Sequence, residues 1–124
     1  MKDRFIQLAI QQAEQSAMPN RLGAVVVRKK NVIGAGYNRE DHPWLYRNSI
    51  LRLHPKHGMH AEVSALYGAD DSEDAIMYVV RLRKNDSIGL AKPCLSCASY
   101  IKINGIKRVI YSEDDGSFNL MRIR

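Results

Sequence analysis

Several things are scarce in this chain, and each scarcity excludes something. Its 124 residues hold two cysteines, too few for a disulfide framework, so nothing implies a secreted scaffold. No apolar run approaches the ~20 residues needed to cross a bilayer as a helix. The opening Met1-Lys2-Asp3-Arg4 leads into glutamines and carries no signal-peptide core. A cytoplasmic protein is the expectation. Acidic residues are also short, at 13 against 19 Lys+Arg, giving a net charge of +6. That balance suits an anionic partner such as a nucleotide or nucleic acid, and a solvated basic surface accounts for it equally well. Internal repeats and low-complexity segments are missing, and the length fits one domain over residues 1–124.

The cysteines that are present lie in one short stretch, Pro93-Cys94-Leu95-Ser96-Cys97. A second stretch, His60-Ala61-Glu62, supplies an imidazole and a carboxylate. Two thiolates and an imidazole are good zinc ligands, and three protein ligands leave a tetrahedral zinc one open position. Water in that position has its pKa lowered toward ~7. Glu62 is placed to carry protons beside such a centre. C-x-x-C alone is ambiguous: a redox pair, half of a structural zinc site, or two helix residues one turn apart. A redox pair leaves His60 and Glu62 unexplained. A structural zinc needs a fourth ligand, which His54 or His57 could supply.

In chain order, residues 3–17 read as an amphipathic helix with Ile6, Ala9, Ile10, Ala13 and Ala17 on one stripe, stopped by Met18-Pro19-Asn20. Ala24–Val27 is a buried strand. A turn at Lys29-Lys30-Asn31 leads to a second strand over 32–37, whose glycines suggest a bulge or a close backbone approach. Residues 38–59 have no clean period. They carry Arg39, Arg47, Arg52 and Lys56 against Glu40 and Asp41, with Trp44, Tyr46 and three of the four histidines. They read as a lid over the site or as an insertion pinned by Trp44. His60 opens a helix closed by Gly68. A strand covers 75–82, a loop 83–92, and a helix starts at Pro93, with Cys94, Cys97, Ala98 and Ile101 inward and Asn104-Gly105 as its stop. Strands follow at 108–111 and 118–123. Crossover connections then start both motif helices at one end of a sheet, where their dipoles favour thiolates. The expected fold is α/β: three layers, with a mixed sheet of four to five strands and helices on both faces.

On these motifs the chain resembles the cytidine and deoxycytidylate deaminase superfamily. The likeness covers the first helix, the hairpin ending Gly36-Tyr37-Asn38, the His60-Ala61-Glu62 helix and Lys92–Cys97. Histidine as first ligand is similar to the deoxycytidylate and transfer-RNA-adenosine branches. The resemblance implies zinc on His60, Cys94 and Cys97, and Glu62 as proton shuttle. It implies substrate contacts from Asn38, the Ala61 backbone N–H and the turn at Pro93, and assembly as a homo-oligomer. Two departures stand out. No cysteines remain for a second, regulatory zinc site. Only the 112–117 turn separates the last two strands, which is too short for a parallel crossover, so the final strand is expected to run antiparallel.

The implied chemistry is hydrolytic deamination of a free, deoxycytidylate-like cytosine nucleotide to its uracil counterpart, with the basic 39–57 loop meeting the phosphate. A second reading is an editing deaminase on transfer RNA or single-stranded nucleic acid, with Trp44 or Tyr46 stacking bases. A third is a zinc-stabilised binding module without catalysis, which would have no use for Glu62.

Overall fold

The structure, a computed structural model, describes residues 3–39, 59–69 and 71–123. Among the described residues three helices and six strands follow in the order α1 (Asp3–Glu14), β1 (Arg21–Arg28), β2 (Asn31–Tyr37), α2 (Ala61–Tyr67), β3 (Ile76–Leu82), β4 (Ile88–Gly89), α3 (Leu95–Ile103), β5 (Arg108–Ser112) and β6 (Phe118–Arg122). The strands form one sheet ordered β2-β1-β3-β5-β6, with β4 paired to β3. The sheet is mixed. β3 and β5 are parallel, and every other pairing is antiparallel.

β1 carries an unbroken apolar run because both its faces are covered. Val25 and Val27 join Phe5 and Ala9 of α1, with Tyr78, Val80 and Ile110. Ala24 and Val26 face the other way, against Ala61 and Ala65 of α2 and Ile101 of α3, with Met77, Val79 and Val109. The three layers are therefore α1, the sheet, and the pair α2 and α3.

The direction of the strands places the site. β2 and β3 both pair antiparallel with β1, so they run the same way. α2 follows the end of β2, and α3 follows the β3–β4 hairpin. Both helices thus begin at the same end of the sheet. α2 lies very close to β2. A Cβ on Gly36 would overlap the Ser64 hydroxyl and stand 2.6 Å from the Ala65 nitrogen, and one on Gly34 would overlap the Ala65 carbonyl. Glycine at these two positions lets α2 rest on the backbone of β2. The pairing shifts register between Val26 and Val27, opposite Val32 and Gly34, which is the expected bulge. Lys29 and Lys30 form the two-residue hairpin turn, both at positive φ (51° and 68°).

Several expectations are corrected. Among the described residues the sheet has six strands, not four to five. The added strand, β4, is two residues long, too short to leave a period in the sequence. α1 ends at Glu14, not at residue 17, and the side chain buried beyond it is Ser16, while Ala17 is exposed. Ser16 is drawn inward by a hydrogen bond from its hydroxyl to the Asn38 carbonyl, 2.9 Å. Pro93 is not the first residue of α3. The helix begins at Leu95 with Cys94 as N-cap, which puts Pro93 one position before the cap. Cys94 is exposed there, so it does not share the buried inner face of Cys97 and Ile101. The final strand runs antiparallel to β5, as the short turn requires. The lid reading, with Trp44, Tyr46, Arg47, Arg52, His54, Lys56 and His57, falls outside the described residues.

Candidate metal centre and its cavity

The two candidate ligands furthest apart in sequence, His60 and Cys97, meet at the helix starts. His60 is the N-cap of α2 and Cys94 the N-cap of α3, both in extended backbone conformations. Cys97 lies one turn into α3, fully buried. Nδ1 of His60 is 2.9 Å from Sγ of Cys97. One ligand atom from each of His60, Cys94 and Cys97 falls within 4.8 Å of the others. Ligand atoms around a tetrahedral zinc stand about 3.5–3.8 Å apart, so a small adjustment seats the ion. Met59 and Val63 pack with Cys97 and form a dry floor beneath this cluster.

The chemistry of the donors also fits a cation. Burial pushes the Cys97 thiol far up from its ordinary range, and the neighbouring Glu62 and Cys94 push it further. A thiol in those surroundings becomes a thiolate when a positive ion shares the cluster. Zinc matches two sulfurs and one imidazole nitrogen. Among the described residues no fourth histidine, cysteine or carboxylate joins the group.

Glu62, 3% exposed, sits in the first turn of α2. Burial raises its pKa from 4.5 to about 7, against the lowering effect of its own backbone and of the Cys97 thiol. A carboxyl with a pKa there can hold or release a proton near neutrality.

A cavity of about 440 Å³ opens over these groups. Its lining combines His60, Ala61, Glu62 and Cys94 with Asn38, Lys92, Leu22 and the Met18-Pro19-Asn20 segment. Asn38 is held firmly. Its Oδ1 accepts from the Leu22 N–H at 2.9 Å, its Nδ2 donates to the Asn20 carbonyl, and its own N–H donates to the Leu22 carbonyl at 3.2 Å. One amide hydrogen and one lone pair remain for a ligand. Ala61 reaches the cavity although its side chain is buried. Pro93 is buried and lies outside the lining, which Lys92 enters in its place. The sequence reading passed over Lys92, Leu22 and the 18–20 segment. Met18-Pro19-Asn20 carries only a helix-stop signal, and nothing in its residue types announces a cavity wall.

A mixed sheet between two helical layers, with a His/Cys/Cys zinc-site cluster at two helix starts, defines the cytidine-deaminase-like class. Within it, the chain belongs to the cytidine and deoxycytidylate deaminase family, whose zinc-binding region matches residues 1–113. The deoxycytidylate deaminase of Saccharomyces cerevisiae is 30% identical over 136 aligned residues, spanning 95% of this chain and 40% of the longer yeast protein. The apo deoxycytidylate deaminase of cyanophage S-TIM5 superposes with a TM-score of 0.59 at 20% identity, covering 92% of this chain and 86% of that one. A structure from work on A-to-I editing by tRNA:A34 deaminases gives a TM-score of 0.58 at 24% identity, covering 91% and 77%. These two structures share the fold.

Proposed function

We propose that this chain is a zinc-dependent hydrolytic deaminase acting on a cytosine mononucleotide, with release of ammonia. One observation carries the reading: a buried carboxyl, Glu62, tuned to about 7, lines the same cavity as the His60/Cys94/Cys97 cluster. Zinc on those three residues would lower the pKa of a water it binds toward ~7. Glu62 takes one proton from the attacking water and gives it to the ring nitrogen, then takes the second from the hydroxyl now on the ring carbon and gives it to the leaving amine. Oxygen replaces nitrogen at C4 of the ring, and ammonia departs. Asn38 offers its spare amide hydrogen and lone pair to the substrate, and the Ala61 N–H at the start of α2 meets the ring carbonyl. Pro93 fixes the backbone that presents Cys94 and Lys92.

The likeness to the yeast deoxycytidylate deaminase supports a cytosine mononucleotide. So does Lys92, a cation in the cavity wall with no partner among the described residues. The net charge of +6 favours the second reading, a polynucleotide substrate. The test is ammonia release from a panel of zinc-loaded reactions with cytosine and adenine nucleosides, mononucleotides and oligonucleotides. Release from deoxycytidylate supports the proposal, and release from oligonucleotides alone transfers the site to the editing reading.

A further inference from the structure

The segment between α1 and β1 is tied into the cavity wall by a guanidinium from the neighbouring strand. Nη2 of Arg81, in β3, donates to Oδ1 of Asn20 at 3.0 Å. Arg81 stands opposite Leu22 in the β1–β3 ladder, and its own N–H donates to the Ser112 hydroxyl at 3.2 Å. The backbone carbonyl of Asn20 accepts from Asn38 Nδ2. Asn20 is thus gripped by its side chain from one side and by its backbone from the other, yet it stays exposed and lines the cavity.

This contact decides which way the Asn20 carboxamide faces. A guanidinium has donors and no acceptor, so the atom turned to Arg81 must be the oxygen. The Nδ2 hydrogens then point away from Arg81. Among the described residues nothing accepts them. The Nε of Arg81 is itself buried without a hydrogen-bond partner. Arg81 is half-buried, and among the described residues the one hydrogen bond its guanidinium makes is to Asn20.

We propose that Asn20 is a substrate-binding residue that donates from Nδ2 to an oxygen of the substrate's sugar or phosphate, and that Arg81 is the positioning residue that presents it. The inference rests on the nucleotide reading above and adds a contact that the zinc-binding motifs do not include. Neither residue touches the metal cluster or Glu62, so both act on binding and not on the chemical step.

The test uses zinc-loaded full chain with deoxycytidylate and deoxycytidine. Asn20→Ala removes one neutral hydrogen bond and should raise KM about three- to tenfold, with kcat within about twofold. A rise for both compounds assigns the acceptor to the sugar, and a rise for the nucleotide alone assigns it to the phosphate. Arg81→Met should raise KM in the same direction. The double variant should be no worse than Asn20→Ala, because Arg81 acts through Asn20. Asn20→Asp keeps the contact to Arg81 but has no donor, so it tests the contact even if Arg81→Met fails to fold. KM unchanged in both Asn20 variants, or additive effects of Asn20→Ala and Arg81→Met, would overturn the proposal. If wild type turns over neither compound, the mononucleotide reading fails separately, and calorimetric titration with deoxycytidylate decides. Weaker binding by Asn20→Ala then sustains the contact, while equal binding, or none by wild type, overturns it.

Discussion

The backbones of Arg39 and Met59 exchange both hydrogen bonds of an antiparallel bridge, 3.0 and 2.6 Å long. The chain leaves the cavity wall at Asn38 and returns to it at His60, and this bridge joins the two points. The Arg39 guanidinium also lies over the Tyr37 ring, 5.5 Å from its centre. Whatever residues 40–58 do, their base is fastened beside a cavity-lining asparagine and a metal-ligand candidate.

Zinc should bind once per chain, and the ligands should separate cleanly from Glu62. Cys97→Ala removes a buried ligand and should empty the site. Glu62→Ala should keep the metal and lose about 10²–10⁴-fold in turnover, the range for a removed general acid–base. Elemental analysis and steady-state rates on the same samples check both. Normal turnover by Glu62→Ala would remove the proposed mechanism.

Substrate size can be read from salt and from Lys92. With a mononucleotide, Lys92→Ala should raise KM for the nucleotide far more than for its nucleoside, and affinity should respond mildly to ionic strength. With a polynucleotide, log affinity should fall against log salt with a slope of about −0.7 per phosphate contact. Titrations across a salt series distinguish the outcomes, and a slope steeper than about −2, with no activity on free nucleotides, selects the editing reading.

Gly36→Ala should damage the site from behind. The new Cβ collides with Ser64 and with the α2 backbone at Ala65, and such overpacking costs about 1–3 kcal/mol. Because α2 carries His60 and Glu62, zinc affinity should fall together with stability. Urea unfolding and competition with a chelator measure the two effects, and a wild-type value for both would show that α2 yields without strain.

The β1–β2 turn offers a gain. Lys29 and Lys30 hold left-handed backbone conformations that side chains with a Cβ resist. Asn-Gly at these positions suits the turn and should stabilise the fold by about 0.5–1 kcal/mol without altering activity. Thermal melts of the double substitution check this, with a lower melting temperature as the contrary result.

The His60/Cys94/Cys97 cluster and the Glu62 beside it were legible because their spacing is chemically restrictive. Few roles join a C-x-x-C helix start to an H-x-E helix start, and the strand directions bring the two together. The buried strands were legible from runs such as Val25-Val26-Val27. The rest depends on contacts across the fold. β4 exists because Ser112 donates to the Gly89 carbonyl, 2.6 Å, and because Arg81 and Leu82 offer it an open edge. The Asn20 side chain in the cavity wall is bonded to Arg81, 61 positions away. Ser16 is buried by its partner Asn38 and not by its own polarity. No local pattern encodes any of these.

The placement of His60 and Cys94 at two helix N-caps has a mechanical result. His60 and Cys97 are separated by 37 positions, and β3 and β4 lie between them. An ion held by both, and by Cys94, is a staple across two successive crossover connections. It closes a long loop without a covalent bond and locks the starts of α2 and α3 at a fixed separation. Metal loading and folding then draw on the same free energy, because an ion that binds only the folded chain stabilises it by mass action. Chelation should therefore loosen the layer formed by α2 and α3 before it disturbs α1, which packs on the opposite face of the sheet.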